Sequence, residues 1–128
     1  MRAEDGANGA PLPSVDQDVL EVLRGMQADG EPDLLVELVE IFTEDASAGL
    51  VALREALDQG DAEGLEQRAH ALKGGAGNLG ASRMAQIAAR LETLGRSGDL
   101  KGAGDLLEDL QSEFEKARAE LSASVLRS

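Results

Sequence analysis

Apolar residues recur along this chain at intervals of three and four, and nowhere do they alternate with polar ones as in a half-buried strand. The first such run, Val15, Val19, Val22 and Met26, predicts a short helix opened by a Ser14–Gln17 capping box and ended by Gly30. Leu20 lies about 140° from that stripe on a helical wheel. It is either a scattered surface leucine or part of a small apolar docking patch. Pro32 suits the first turn of a second helix, which carries Leu34, Leu38, Ile41, Phe42, Leu53 and Leu57 and runs to Gly60. So wide an apolar band requires neighbours on more than one side, as for a central helix.

Asp61 can cap a third helix reaching about Asn78, and Gly80 with Ser82 marks a tight turn after it. A fourth helix carries Met84, Ala88, Leu91 and Leu94 and closes over Gly95 to Gly98. Asp99 can cap the fifth, where Leu100, Ala103, Leu107, Leu110, Phe114, Ala117 and Leu121 alternate spacings of three and four. Residues 1–13, with Gly6, Gly9, Pro11 and Pro13, read as a disordered lead-in. The domain then occupies residues 14–126. The expected fold is all-α: an antiparallel up-down four-helix bundle with an additional short N-terminal helix.

The third helix carries the chain's single histidine. Leu65, Ala69, Leu72, Ala76 and Leu79 fall within roughly 40° of one line and form its buried stripe. His70 lies about 140° from that line, Gly74 about 180° and Gly77 about 120°. The imidazole therefore projects from an exposed face whose next two turns have no side chains, with Lys73 as its surface neighbour. Glycine inside a helix costs about 1 kcal/mol relative to alanine, so Gly74, Gly75 and Gly77 together cost about 2–3 kcal/mol. A cleared approach to the imidazole accounts for that cost. Glycine content alone leaves 74–80 balanced between helix and loop, and the stripe continuing to Leu79 favours helix.

Composition narrows the chemistry. The chain has no cysteine, so it offers neither a disulfide framework nor a thiolate site, and one histidine cannot supply an imidazole ligand set; no metal site is expected. Twelve basic against 25 acidic residues give a net charge of −13, which disfavours nucleic acid and anionic membrane as partners. Residues 61–99 are the exception. Arg68, Lys73, Arg83, Arg90 and Arg96 there balance Asp61, Glu63, Glu66, Glu92 and Asp99. An anion, if handled anywhere, is handled in that stretch.

The run His70-Ala-Leu-Lys-Gly-Gly-Ala-Gly-Asn-Leu-Gly-Ala81 closely resembles the signature of histidine-containing phosphotransfer (HPt) domains, in which the phosphorylated histidine is followed by a lysine and then a glycine. The resemblance extends from about residue 15 to 122 and includes Leu-Val-Glu-Leu-Val-Glu-Ile-Phe before the motif, Gly60-Asp61 and Leu91-Glu92. It implies that His70 accepts a phosphoryl group on Nε2 from a receiver-domain aspartate and passes it to another. Lys73 would neutralise the transferred group, and Gly74, with Gly77, would leave room for the docking partner. Arg96 falls where some members place a basic residue near the phosphohistidine. Glu92 stands where some members have a neutral amide, and an acid there does not help to bind phosphate.

The same resemblance implies a phosphocarrier without an ATP site, not a kinase by itself. Response-regulator receiver domains and a hybrid histidine kinase would be its partners, and the receiver would supply Mg²⁺, so no cofactor of its own is expected. Absence of a signal-like or membrane-spanning segment points to a cytoplasmic chain, expected to be a monomer. Three other readings compete with this one. Gly75-Ala-Gly77-Asn-Leu-Gly80 matches a dinucleotide fingerprint, but a helical pattern precedes it where a strand is required. A non-catalytic helical adaptor would use the fifth helix as a coiled-coil seam and would not need His70. The phosphotransfer domain of a chemotaxis-type kinase has similar helices, but it normally precedes further domains, whereas this chain stops after the fifth helix.

Overall fold

In a computed structural model, the structure describes residues 14–26 and 33–126. Five helices follow one another: α1 (Gln17–Gly25), α2 (Leu34–Asp58), α3 (Ala62–Asn78), α4 (Ser82–Ser97) and α5 (Ala103–Leu126). Among the described residues there is no strand. α2 packs on α3, α3 on α4, α4 on α5, and α5 returns to α2 to close the ring, while α1 lies against α2. Connections this short between the bundle helices leave only an antiparallel arrangement. The predicted lead-in at 1–13, and the roles given to Gly30 and Pro32, lie outside the described residues.

The predicted stripes are the core along α3, α4 and α5. Leu65, Ala69, Leu72, Ala76 and Leu79 are all buried, as are Met84, Ala88 and Leu91, and the α5 seam from Ala103 to Leu121. α2 buries Leu35, Val39, Phe42, Ala46, Leu50, Leu53 and Ala56, a line that includes Phe42 and Leu53 of the predicted band but leaves Ile41 on the surface. Phe42 meets Phe114 of α5 with ring centroids 6.2 Å apart, where α5 packs on α2.

Caps fix the helix ends. The Asp33 side chain accepts from the amides of Leu35 and Val36, and that of Asp61 from Gly64, as its position before α3 implied. Asp99 does not cap α5. Its carboxylate accepts from the Lys101 amide in the connecting turn, and the helix begins only at Ala103, after Gly102 with φ +82°. The 74–78 stretch is helical, and the turn comes at Gly80, where φ is +76°.

α1 departs most from expectation. Its cap is Asp16, which accepts from the Asp18 amide, and Ser14 makes no capping box. The Ser14 hydroxyl instead donates to buried Glu113 of α5, and the amides of Ser14 and Val15 donate to Glu120. The Asp16 amide donates to the Gly80 carbonyl at 2.7 Å. These bonds turn the helix so that Leu20 is fully buried, while Val22 and Met26 are 64% and 67% exposed. The stripe read from Val15 to Met26 is thus the wrong face beyond its first turn.

Candidate functional site

Helices α3 and α4 meet closely because Gly95 has no side chain. A Cβ at that position would stand 2.6 Å from the Glu66 amide nitrogen and 2.8 Å from the Ala62 carbonyl oxygen. Contact this close brings polar side chains of α4 within hydrogen-bond reach of those on the outer face of α3. Gly98 in the left-handed conformation, φ +79°, then ends α4.

On that face His70 stands out, its side chain 68% exposed. Its Nδ1 lies 2.8 Å from Glu92 Oε2. Lys73, one turn on, donates to Glu92 Oε1 at 2.6 Å, and Arg96 Nη2 donates to Oε2 at 3.1 Å. Arg96 Nε also donates to Glu66 at 3.1 Å. Glu92 is therefore the hub, its side chain only 8% exposed and holding three nitrogen groups. A buried carboxylate in such company is stable because its lone pairs are filled by donors.

The hub fixes the state of the ring. The hydrogen bond from Lys73, then that from His70, holds the Glu92 carboxyl below the ordinary glutamate value, against the opposing effect of burial. An ionised carboxylate only accepts, so Nδ1 of His70 must be the donor. Among the described residues no protein group bonds Nε2, the remaining ring nitrogen. A neutral ring in this tautomer has its lone pair on Nε2, available as a nucleophile.

The approach to that face is open. A Cβ at Gly74, Gly75 or Gly77 would meet nothing within 4 Å, so no packing inside the bundle requires these three glycines. Beside them, between α1, α2 and α3, runs an apolar groove lined in part by Leu23, Leu38, Ile41, Ala71, Leu72 and Leu79. Ile41 on its rim is 55% exposed.

The structure thus gathers His70, Lys73, Glu92 and Arg96 in one cluster and sets Gly74 and Gly77 on the open face of the same helix. Leu20 is corrected: it belongs to the core and cannot line a surface patch. Two residues have a part in the site that the sequence did not assign to them. Glu66, four before His70 on the same face, was available through its i,i+4 spacing. Gly95, expected with Gly98 to close α4, instead lies within the helix, and Gly98 ends it. Among the described residues no group of three or more His, Cys, Asp or Glu side chains could hold a metal ion, and no helix is long and apolar enough to cross a membrane.

Comparisons with known proteins agree with this geometry. The Hpt domain family model matches residues 37–120. The fold is similar to the crystal structure of histidine-containing phosphotransfer protein B (HptB) from Pseudomonas aeruginosa PAO1, with a TM-score of 0.83 and 33% sequence identity. That match covers 92% of this chain and 99% of the other. Comparison with curated protein sequences returned no significant match.

Proposed function

Because the chain belongs to the histidine-containing phosphotransfer domain family and functions in a phosphorelay, we propose that His70 is its phosphoryl acceptor, taking the group on Nε2 from a receiver aspartate and passing it on. The single observation that carries the assignment is the ring itself: exposed, bonded to Glu92 through Nδ1, and with Nε2 unclaimed by the protein. The Nε2 lone pair attacks phosphorus as the bond from phosphorus to the aspartyl oxygen breaks. Such transition states are loose, so positioning and charge neutralisation account for most of the rate.

Lys73 supplies a cation beside the ring for the incoming group, and Arg96 a second one a turn of α4 away. Gly74 and Gly77 leave the partner's surface room to reach Nε2. The apolar groove rimmed by Ile41 replaces Leu20 as the docking surface for a receiver domain, since it borders the same helix and remains partly open to solvent. Phosphorelay kinases and receivers are the partners that family membership implies. The proposal includes a cytoplasmic, monomeric carrier, with Mg²⁺ supplied by the receiver.

Incubation with a phosphorylated receiver is expected to put an acid-labile, base-stable label on this chain. Undiminished label on His70→Gln would sink the assignment.

A further inference from the structure

α1 has nine residues, too few to hold a helix alone, so contacts outside it decide how it lies. It carries two apolar faces about 140° apart, Leu20 on one and Val19, Val22 and Met26 on the other. Leu20 reaches the core, and Val22 and Met26 are left to solvent. Apolar area by itself does not favour that choice, since it puts one leucine inside and leaves a valine and a methionine outside.

Hydrogen bonds at the start of the helix make the choice. Glu120 of α5 takes the Ser14 amide on Oε2 at 3.2 Å and the Val15 amide on Oε1 at 3.0 Å. Glu113 takes the Ser14 hydroxyl, but it also holds Arg83 and Lys116. Among the described residues the bonds of Glu120 go to this segment alone. The bond from the Asp16 amide to the Gly80 carbonyl is a single point about which α1 could still turn. Glu120 adds two more points on the backbone itself, and three points fix a rotation. The bond from Arg24 to the Ser124 carbonyl, near the other end of α1, runs through a long, flexible side chain and follows the helix wherever it turns.

That rotation places Leu23. It lies three residues after Leu20, about 60° round the helix, and lines the apolar groove together with Leu38 and Ile41 of α2. We propose that Glu120 is a positioning residue for partner docking: by clasping the start of α1 to α5 it sets the rotation of α1, and with it the Leu23 wall of the groove, with no bond to His70. The inference rests on the groove being the surface that receives the receiver domain. Glu120 then governs how well the partner is bound and leaves the chemistry of the ring untouched.

The test separates binding from chemistry. Glu120→Gln keeps the size of the side chain, but its amide nitrogen cannot accept, so one of the two backbone bonds is lost. Transfer from a phosphorylated receiver is expected to show a KM raised several-fold with kcat unchanged. Labelling of His70 by phosphoramidate, a small donor that needs no docking surface, is expected to keep its wild-type rate. An unchanged KM, or a loss confined to kcat, overturns the inference. Amide hydrogen exchange of the same variant is expected to quicken in α1 and to stay slow in α3 and α4. Equal acceleration in all helices assigns Glu120 to general stability and also overturns it. Leu23→Ser removes the wall directly and should raise KM in the same way. Because both variants act through one contact, the double variant is expected to be no worse than the weaker-binding single one; fold-changes that multiply overturn the shared route. The parent reading fails differently: Ile41→Asp and Leu23→Ser would then both leave KM at the wild-type value.

Discussion

Gly95 of α4 lies directly on the backbone of Glu66 in α3, at a separation that leaves no room for even a methyl group. The atoms in the way are backbone, so the helices must move apart to admit a side chain. Gly95→Ala is expected to destabilise the bundle by about 1–3 kcal/mol. It should also slow transfer, because the separation lengthens the bonds from Glu92 and Arg96 to α3. Thermal unfolding and receiver-to-chain transfer measured together check this; a raised melting temperature contradicts the close contact.

Gly74 should behave in the opposite way. It sits in the interior of α3 with open space where a Cβ would go. Gly74→Ala is expected to stabilise the helix by about 1 kcal/mol. Gly74→Gln should likewise fold well, yet lose at least about tenfold in transfer from a phosphorylated receiver, about 1.4 kcal/mol. If transfer survives while the melting temperature collapses, the glycine is structural.

Lys73 is 37% exposed and makes its ion pair at the surface edge of Glu92. Lys73→Ala should leave the fold intact and slow transfer by about tenfold or more, as for loss of a cation that stabilises developing charge. Stopped-flow or quenched transfer kinetics would reveal an unchanged rate, which would remove its role.

The Glu92 carboxyl is held below its ordinary value, and the sign of the consequence is fixed. A group whose folded value is depressed contributes stability that is complete above the unfolded value and disappears as pH falls through the folded one. The melting-temperature advantage of the wild-type chain over Glu92→Gln should therefore be present at neutral pH and shrink as pH drops below 4.5, the ordinary glutamate value. An advantage that persists undiminished at about pH 3 would contradict the ionised hub.

Leu20 and Ile41 exchange the roles that spacing suggested. Leu20 is fully buried, and Leu20→Ala should cost about 2–5 kcal/mol of stability. Ile41 is 55% exposed on the rim of the groove. Ile41→Asp should change stability by no more than about 0.5 kcal/mol while weakening receiver binding in calorimetry or transfer assays.

The sequence disclosed what depends on spacing within one helix. The α3 stripe, the outward position of His70 and the continuation of helix through three glycines all follow from a periodicity of 3.6 residues. The α5 seam was legible for the same reason. What stayed hidden depends on which helix lies next to which. α1 is too short for its own pattern to set its face, and the bonds from Ser14 and Val15 to Glu113 and Glu120 decide it instead. Those partners are about a hundred residues away in sequence. Glu92 was unreadable because its partners His70 and Lys73 sit across a helix crossing that only the smallness of Gly95 permits.

Under the reading proposed above, His70 would be one acceptor on one cleared face, and this would limit traffic through the protein. Under the proposed function, the partner that delivers the phosphoryl group and the partner that collects it need the same patch of α3, so they cannot be bound together. The donor has to dissociate before the acceptor arrives, and each is a competitive inhibitor of the other. An excess of either unphosphorylated partner would choke the flow, and dissociation of the spent partner becomes a ceiling on the rate at which signal passes.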